Sequence, residues 1–445
     1  MQKIFLRIFF IFFLISYNAN AELSLSIDGS DVVKNKILLF GFESNDPDLD
    51  DDIGEILKQF RLNLQTTNLF QVLKREAQIP TENNPNPQAE LGIESMPDFE
   101  KYSPLAISAI LVAEFSYDPL RNIEIKIRLW DALDERQLFG KFYSASHDNI
   151  NKVANIISDE VFKAIAGETV GHFSSKVLYV SESGAAKKRI KKLAIMDFDG
   201  KNHKYLTDGR DLVLTPTFSK NPNEIYYLRY FKGKSQIFIL NLNNLRSRKV
   251  GGFRGTTYAA DAHPTKENVL LLSAIINNNS DIYELDMDTN IARRLTKNKA
   301  IDTTASYSPD GKFITFSSDR SHGQQIYVMD QKGLSIARIS NGGGSYSKPV
   351  WSPDGRLIAF TKMKGGKFHI GVMIPNGKGE KILKSAYMVE GARWSPNGRY
   401  LIYSKKRGAY GKRSIPKLYA IDVVTGHEFS FSTTPGAGAS DPDWI

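Results

Sequence analysis

Three pentapeptides decide the fold: Tyr307-Ser308-Pro309-Asp310-Gly311, Trp351-Ser352-Pro353-Asp354-Gly355 and Trp394-Ser395-Pro396-Asn397-Gly398. Proline pins its own φ and the closing glycine accepts a positive one, so each pentapeptide reverses the chain between two strands. Degenerate copies stand at Phe218-Ser219-Lys220-Asn221 and Ala262-His263-Pro264-Thr265, and Asp441-Pro442-Asp443-Trp444 lies at the end of the sequence. The residue before the serine position therefore recurs at 218, 262, 307, 351, 394 and 444, at intervals of 44, 45, 44, 43 and 50. Within a unit the apolar runs are short and alternating, as at Phe313 to Ser317, Gln325 to Met329 and Ile336 to Ile339. Further turns fall at Asp199-Gly200, Lys332-Gly333 and Asn376-Gly377. Four strands per repeat of this length, without helices, predict one blade of a β-propeller.

Six units follow, roughly 176–217, 218–261, 262–306, 307–350, 351–393 and 394–445. The last contributes a strand with no blade of its own. That strand is expected to pair with the strands from Lys176 onward, closing the ring and removing an exposed edge. The longer last interval is read as an exposed insert, Arg407 to Lys417.

Working outward toward the N-terminus, Ile37 to Phe42 reads as a buried strand, and Ile53, Ile56, Leu57, Phe60 and Leu64 form one face of a helix. Strands are expected at Ala109 to Tyr117, at Ile123 to Leu129 and at about Leu138 to Ser144. A second amphipathic helix carries Ile150, Val153, Ile157, Val161 and Ile165. This order predicts helices packed on a small sheet. The stretch Pro80 to Pro97 reads as a loop and Gly167 to Ser174 as a linker. The fold class is thus α+β multidomain: a small α/β domain at 22–170 followed by a six-bladed propeller at 171–445.

Residues 1–21 pair two cations, Lys3 and Arg7, with an apolar run from Ile8 to Ile15 and a small-x-small ending at Ala19-Asn20-Ala21. That pattern predicts a cleaved secretory signal and a mature chain starting at Glu22; an uncleaved anchor is the alternative. The run is shorter than the ~20 residues of a spanning helix, so the protein is expected not to span a membrane. Removing the signal lowers the formal charge from +9 to +7. With no cysteine in the sequence, disulfides, zinc thiolates and a cysteine nucleophile are excluded.

Catalytic signatures are missing. The acidic run at Asp46, Asp48, Asp50, Asp51 and Asp52 lacks the glycine and glutamate of a calcium loop and fits a helix N-terminus better. The seven histidines stand singly, without metal-ligand spacing, and His263 sits at a serine position of the repeat. No Gly-x-Ser-x-Gly elbow, phosphate loop or dinucleotide fingerprint occurs. Neither cofactor nor metal is expected, and the lysine clusters lack the aromatic interleaving of a nucleic-acid platform. The reading is a non-enzymatic binding protein. Its alternatives are a periplasmic propeller hydrolase or lyase acting on peptides or sugars, and a small-ligand sensor.

A signal, an α/β domain and six Trp-Ser-Pro-Asp-Gly-type units, in that order, resemble the TolB family of Gram-negative bacteria over essentially the whole length. The resemblance implies a periplasmic, monomeric scaffold of the Tol-Pal system. It would link inner-membrane TolA to the outer-membrane lipoprotein Pal, and reach other outer-membrane proteins, in support of envelope integrity and constriction at division. It implies that the mature N-terminal segment 22–33, with Glu22, Leu23, Leu25, Ile27, Asp28 and Val33, binds TolA. By itself that alternating segment reads sooner as a permanently docked first strand of the α/β domain than as a strand added to a partner's sheet. The resemblance further implies that Pal meets the propeller's channel mouth, at positions matching Thr256, Ala259, Thr303, Ser347 and Glu390.

Overall fold

The computed structural model describes residues 33–42, 44, 46–74, 91–185, 188–251, 253, 255–406 and 415–445. The signal segment, residues 22–32, and parts of the Pro80 to Pro97 and Arg407 to Lys417 stretches lie outside them.

The first apolar run forms strand β1 (Asn35–Phe40), followed by helix α1 (Pro47–Thr66), strand β2 (Phe70–Lys74) and the short helix α2 (Phe99–Tyr102). Strands β3 (Ala109–Tyr117), β4 (Ile123–Asp131) and β5 (Arg136–Ala145) then lead into helix α3 (Ile150–Ala166). The sheet order is β2-β1-β3-β4-β5, with β1 parallel to both neighbours and the other pairs antiparallel. The acidic run is a helix cap. Asp46 accepts from the amides of Asp48 (3.0 Å) and Leu49 (3.5 Å), and Pro47 supplies a first helical position that needs no donor. Ile53, Ile56, Leu57, Phe60 and Leu64 of α1 and Val153, Ile157 and Val161 of α3 are buried in one core with Ile37, Leu39, Leu111 and Ile125 of the sheet. Each such side chain contributes about 1.5–3 kcal/mol on burial. Phe99 and Tyr102 of α2 share a second core with the other sheet face, through Leu38, Phe40 and Trp130.

The C-terminal region folds into six four-stranded sheets. Blades two to six are continuous in sequence, with innermost strands Val213–Phe218, Thr256–Ala262, Asp302–Tyr307, Ser345–Trp351 and Met388–Trp394. Blade one joins both ends of the region. The tail strand Gly438–Trp444 pairs antiparallel with Lys176–Ser183, placing Trp444 opposite Val177, and so closes the ring. Each repeat marker ends an innermost strand.

The pentapeptides turn the chain by a fixed hydrogen-bond set. The serine carbonyl accepts from the glycine amide at 2.8 Å in Ser308/Gly311 and 2.9 Å in Ser352/Gly355 and Ser395/Gly398, with glycine φ of 71°, 73° and 68°. The serine hydroxyl accepts from the amide five residues on and donates to the Asp or Asn two residues on; for Ser352 these distances are 2.9 Å to Leu357 and 2.5 Å to Asp354. In blade three His263 substitutes, its Nδ1 accepting from the amides of Thr265 and Lys266, both at 3.2 Å. It holds the turn through the amides two and three residues on, where serine uses the amide five residues on.

The small domain sits on this turn-bearing face. Asp159 of α3 accepts from the amides of His172, Phe173 and Ser174 at 2.7, 2.8 and 2.9 Å, fixing the segment that enters blade one. A side chain at Gly171 would strike that carboxylate, since a Cβ there lies 2.2 Å from it. Arg399 joins Glu168 (3.1 Å) to Asp422 (2.9 Å) across the boundary. His172 is buried among Phe162, Phe173, Phe198, Tyr400 and Trp444. A single apolar core therefore runs from the α/β sheet into blades one and six. The described residues of the small domain do not reach the opposite propeller face.

Candidate functional site

The site is the central channel. Along five of the six innermost strands the ladder slips by one residue, with two residues facing one on the neighbouring strand. The first residue of each slip is left-handed: Thr215 (φ 40°), Thr304 (49°), Lys348 (50°), Gly391 (71°) and Asp441 (47°). Blade three differs, with a single extra residue, Tyr258. The slips turn Thr215-Pro216, Thr304-Ala305, Lys348-Pro349, Gly391-Ala392 and Asp441-Pro442 onto a cavity of about 120 Å³. A left-handed residue other than glycine costs roughly 1–2 kcal/mol, and four such residues ring this cavity. Repeated strain of this kind is a mark of functional sites.

Charge divides the channel into two levels. Toward the open face, Lys348 pairs with Glu390 at 2.9 Å. Burial raises the pKa of Asp441 above the usual carboxylate range, and Lys348 and Lys191 oppose the rise. Toward the covered face, Arg393 of blade six reaches across the axis to Asp261 of blade three (3.7 Å) and sideways to Asp443 of blade one (3.8 Å), barring that level. Burial likewise raises Asp261, and Arg393 opposes it. Both acids also stitch adjacent blades. Asp443 accepts from Thr217 Oγ1 (2.9 Å) and the Phe218 amide (2.8 Å), and Asp261 from the Tyr307 amide (3.2 Å).

The sequence-predicted residues fall as follows. Thr303, Ser347 and Glu390 occupy equivalent places, each just before a left-handed residue and each opposite a residue of the second strand, namely Ser317, Thr361 and Ser404. Ala259 lines the cavity, and Thr256 begins its strand opposite Ile275. Glu22, Leu23, Leu25, Ile27 and Asp28 lie outside the described residues, whereas Val33 is 93% exposed. Sequence reading missed Lys348, Arg393, Asp261, Asp441 and Asp443. The signal existed for three of them: Asp261, Arg393 and Asp443 each stand one place before a marker. Among the described residues no group of three or more His, Asp or Glu is placed to hold a metal ion.

A rigid ring with a strained, charged central cavity on one free face, and a second domain fused to the other, defines the class: a two-domain propeller binding protein. The family described as the TolB beta propeller domain matches residues 162–445. The Tol-Pal system protein TolB of Gluconobacter oxydans (strain 621H) is 38% identical over 326 residues, which cover 73% of this chain and 71% of that protein. The crystal structure of TolB from Acinetobacter baumannii superposes with a TM-score of 0.78 at 23% identity, over 92% of this chain and 96% of that one, a likeness of fold. The chain belongs to the TolB family of Tol-Pal system proteins, whose work is binding and not catalysis.

Proposed function

We propose that the protein acts in the periplasm as a monomeric scaffold of the Tol-Pal system, binding TolA through residues 22–33 and Pal through the open mouth of the channel. Through these contacts it supports envelope integrity and constriction at division. The observation that carries this reading is the cavity ringed by Thr215, Thr304, Lys348, Gly391 and Asp441 on a face that the small domain leaves free. The periplasmic assignment is supported by the signal-like N-terminus and the family; among the described residues no helix is long and apolar enough to cross a membrane. Thr303, Ser347 and Glu390 border the left-handed residues and Ala259 lines the cavity, so a bound loop of Pal would touch them; Thr256 begins the same strand as Ala259. The segment 22–33 alternates apolar and polar residues and leads into an exposed Val33 immediately ahead of β1, a composition suited to adding a strand to a partner's sheet. Two docking states of this segment differing by a few kcal/mol would let one partner bias the other.

Calorimetry of the mature chain and of a variant lacking 22–33, each against the periplasmic domains of TolA and Pal, tests the assignment. TolA affinity should fall at least 100-fold while Pal affinity stays within about threefold. Undiminished TolA binding by the shortened chain would remove the segment from the site.

A further inference from the structure

The middle strands of the propeller sort their charge between its two faces. In the two middle strands of the six blades, the halves nearer the open face carry ten Lys and Arg against two carboxylates, Glu182 and Asp281. The halves nearer the small domain carry one cation, Lys176, against six carboxylates. Internal pairing accounts for only part of the excess. Lys191 is held by Glu182 (2.9 Å), Lys362 by Glu380 (2.6 Å) and Lys405 by Glu428 (2.6 Å). Lys234, Lys364, Lys367 and Lys417 are exposed at the ends of hairpin strands and form no ion pair with the described residues. Like charges gathered on one rim repel one another, so the arrangement works against the isolated protein and in favour of an oppositely charged partner.

We infer that the open face captures an acidic surface of its protein partner by electrostatic steering, the lysine rim accelerating encounter and the cavity receiving an inserted loop. The inference rests on the reading that Pal docks at this mouth. Two features favour a protein over an anionic lipid layer. The cations form an arc over blades five, six, one and two beside a concavity, which a flat headgroup layer could not enter. The concavity is walled largely by Pro216, Ala259, Pro349, Val350, Ala392 and Pro442, apolar groups that suit an inserted side chain, and its two cations, Lys348 and Arg393, are already paired with carboxylates. The Lys348–Glu390 pair at its entrance leaves no surplus charge there. Steering acts on the association rate and fades with salt.

The test is stopped-flow association of the cognate Pal periplasmic domain with the whole mature chain at 20 and 500 mM NaCl. A triple variant, Lys234→Glu, Lys364→Glu and Lys367→Glu, is compared with a control of identical charge change on the covered face, Lys266→Glu, Lys332→Glu and Lys378→Glu. All six side chains are exposed, and thermal melts check that both variants fold. At low salt the open-face variant should associate at least tenfold more slowly than the parent and the control within twofold of it, with the gap closing at high salt. Equal rates for the two variants, or a parent rate indifferent to salt, would overturn the inference while leaving Pal docking intact. Absence of Pal binding under every condition would instead remove the docking reading and the inference with it. Sedimentation with phosphatidylglycerol vesicles completes the test. If the open-face substitutions abolish vesicle binding and leave the Pal rate unchanged, the rim serves a membrane and the inference fails.

Discussion

The closing blade and the fifth blade have the same four-stranded design and are held in opposite ways. Blade five runs unbroken from Ser345 to Ala386, its two middle strands joined by only Gly365-Gly366. Every strand pairing within it is local in sequence. Blade one pairs Trp444 with Val177 and Gly438 with Glu182, so its innermost strand must be recruited across the whole ring. Loop-closure entropy opposes this, though only logarithmically in length. The tail answers with several anchors. Asp443 binds blade two, the Ser404 hydroxyl donates to the Ala439 carbonyl (3.1 Å), and the Trp444 indole stacks on Phe198 at 5.8 Å while donating to Ser175 (2.5 Å). Those last contacts lie in the core shared with the small domain. The comparison teaches that ring closure and domain docking share one core, to which blade five contributes no residue.

The largest expected effect breaks that asymmetry directly. Removing 438–445 leaves Lys176–Ser183 as an open edge and takes Trp444 from the shared core. The shortened chain should lose its cooperative thermal transition and bind a hydrophobic dye. Inserting four Gly/Ser residues between Gly365 and Gly366 should cost less than about 1 kcal/mol in a urea melt. A truncated chain that melts like the parent would show closure to be dispensable.

Acid should find the same seam. His172 accepts from Asn397 Nδ2 through Nδ1 (3.3 Å), and burial, reinforced by the Arg399 charge, pushes its pKa down to about 3. Below its ordinary value near 6.5 the unfolded chain takes up a proton that the folded chain refuses, so stability is full above that pH and declines as pH falls toward 3. Between pH 7 and 5 the loss from this group should be about 2 kcal/mol. Denaturant melts at the two pH values check it, and the His172→Phe variant should flatten the difference.

The smallest effect of a single side chain belongs to blade five. Ser352→Ala removes one acceptor and one donor from a turn otherwise intact, and should cost about 1–2 kcal/mol. Because that turn lies outside the shared core, the loss should be the same at pH 7 and pH 5. A cost that grew with acid would tie blade five to the seam after all.

Much of the architecture was legible because it is written in local chemistry. Ser-Pro-Asp-Gly carries its own hydrogen-bond set, the stripe from Ile53 to Leu64 is a helix face, and Asp46 is a cap. Strand β2 was missed: Phe70–Lys74 is five residues long, and its partner β1 lies about 35 residues earlier, so nothing local announces it. The candidate site was legible only in outline. Thr303, Ser347 and Glu390 were picked by analogy of position, while the residues beside them, Thr304, Lys348 and Gly391, are the left-handed ones.

The sequence by itself determined the number of blades, the turns between their strands, the two helix faces and the need for the tail to complete blade one, because each is set by spacing and by residues within a few positions of one another. The tertiary structure alone decided where the slips in the innermost strands fall, that Arg393 meets Asp261 across the axis, and that His172 is sealed between domains. Those depend on register between strands and on residues brought together from opposite sides of a ring, which no local pattern encodes.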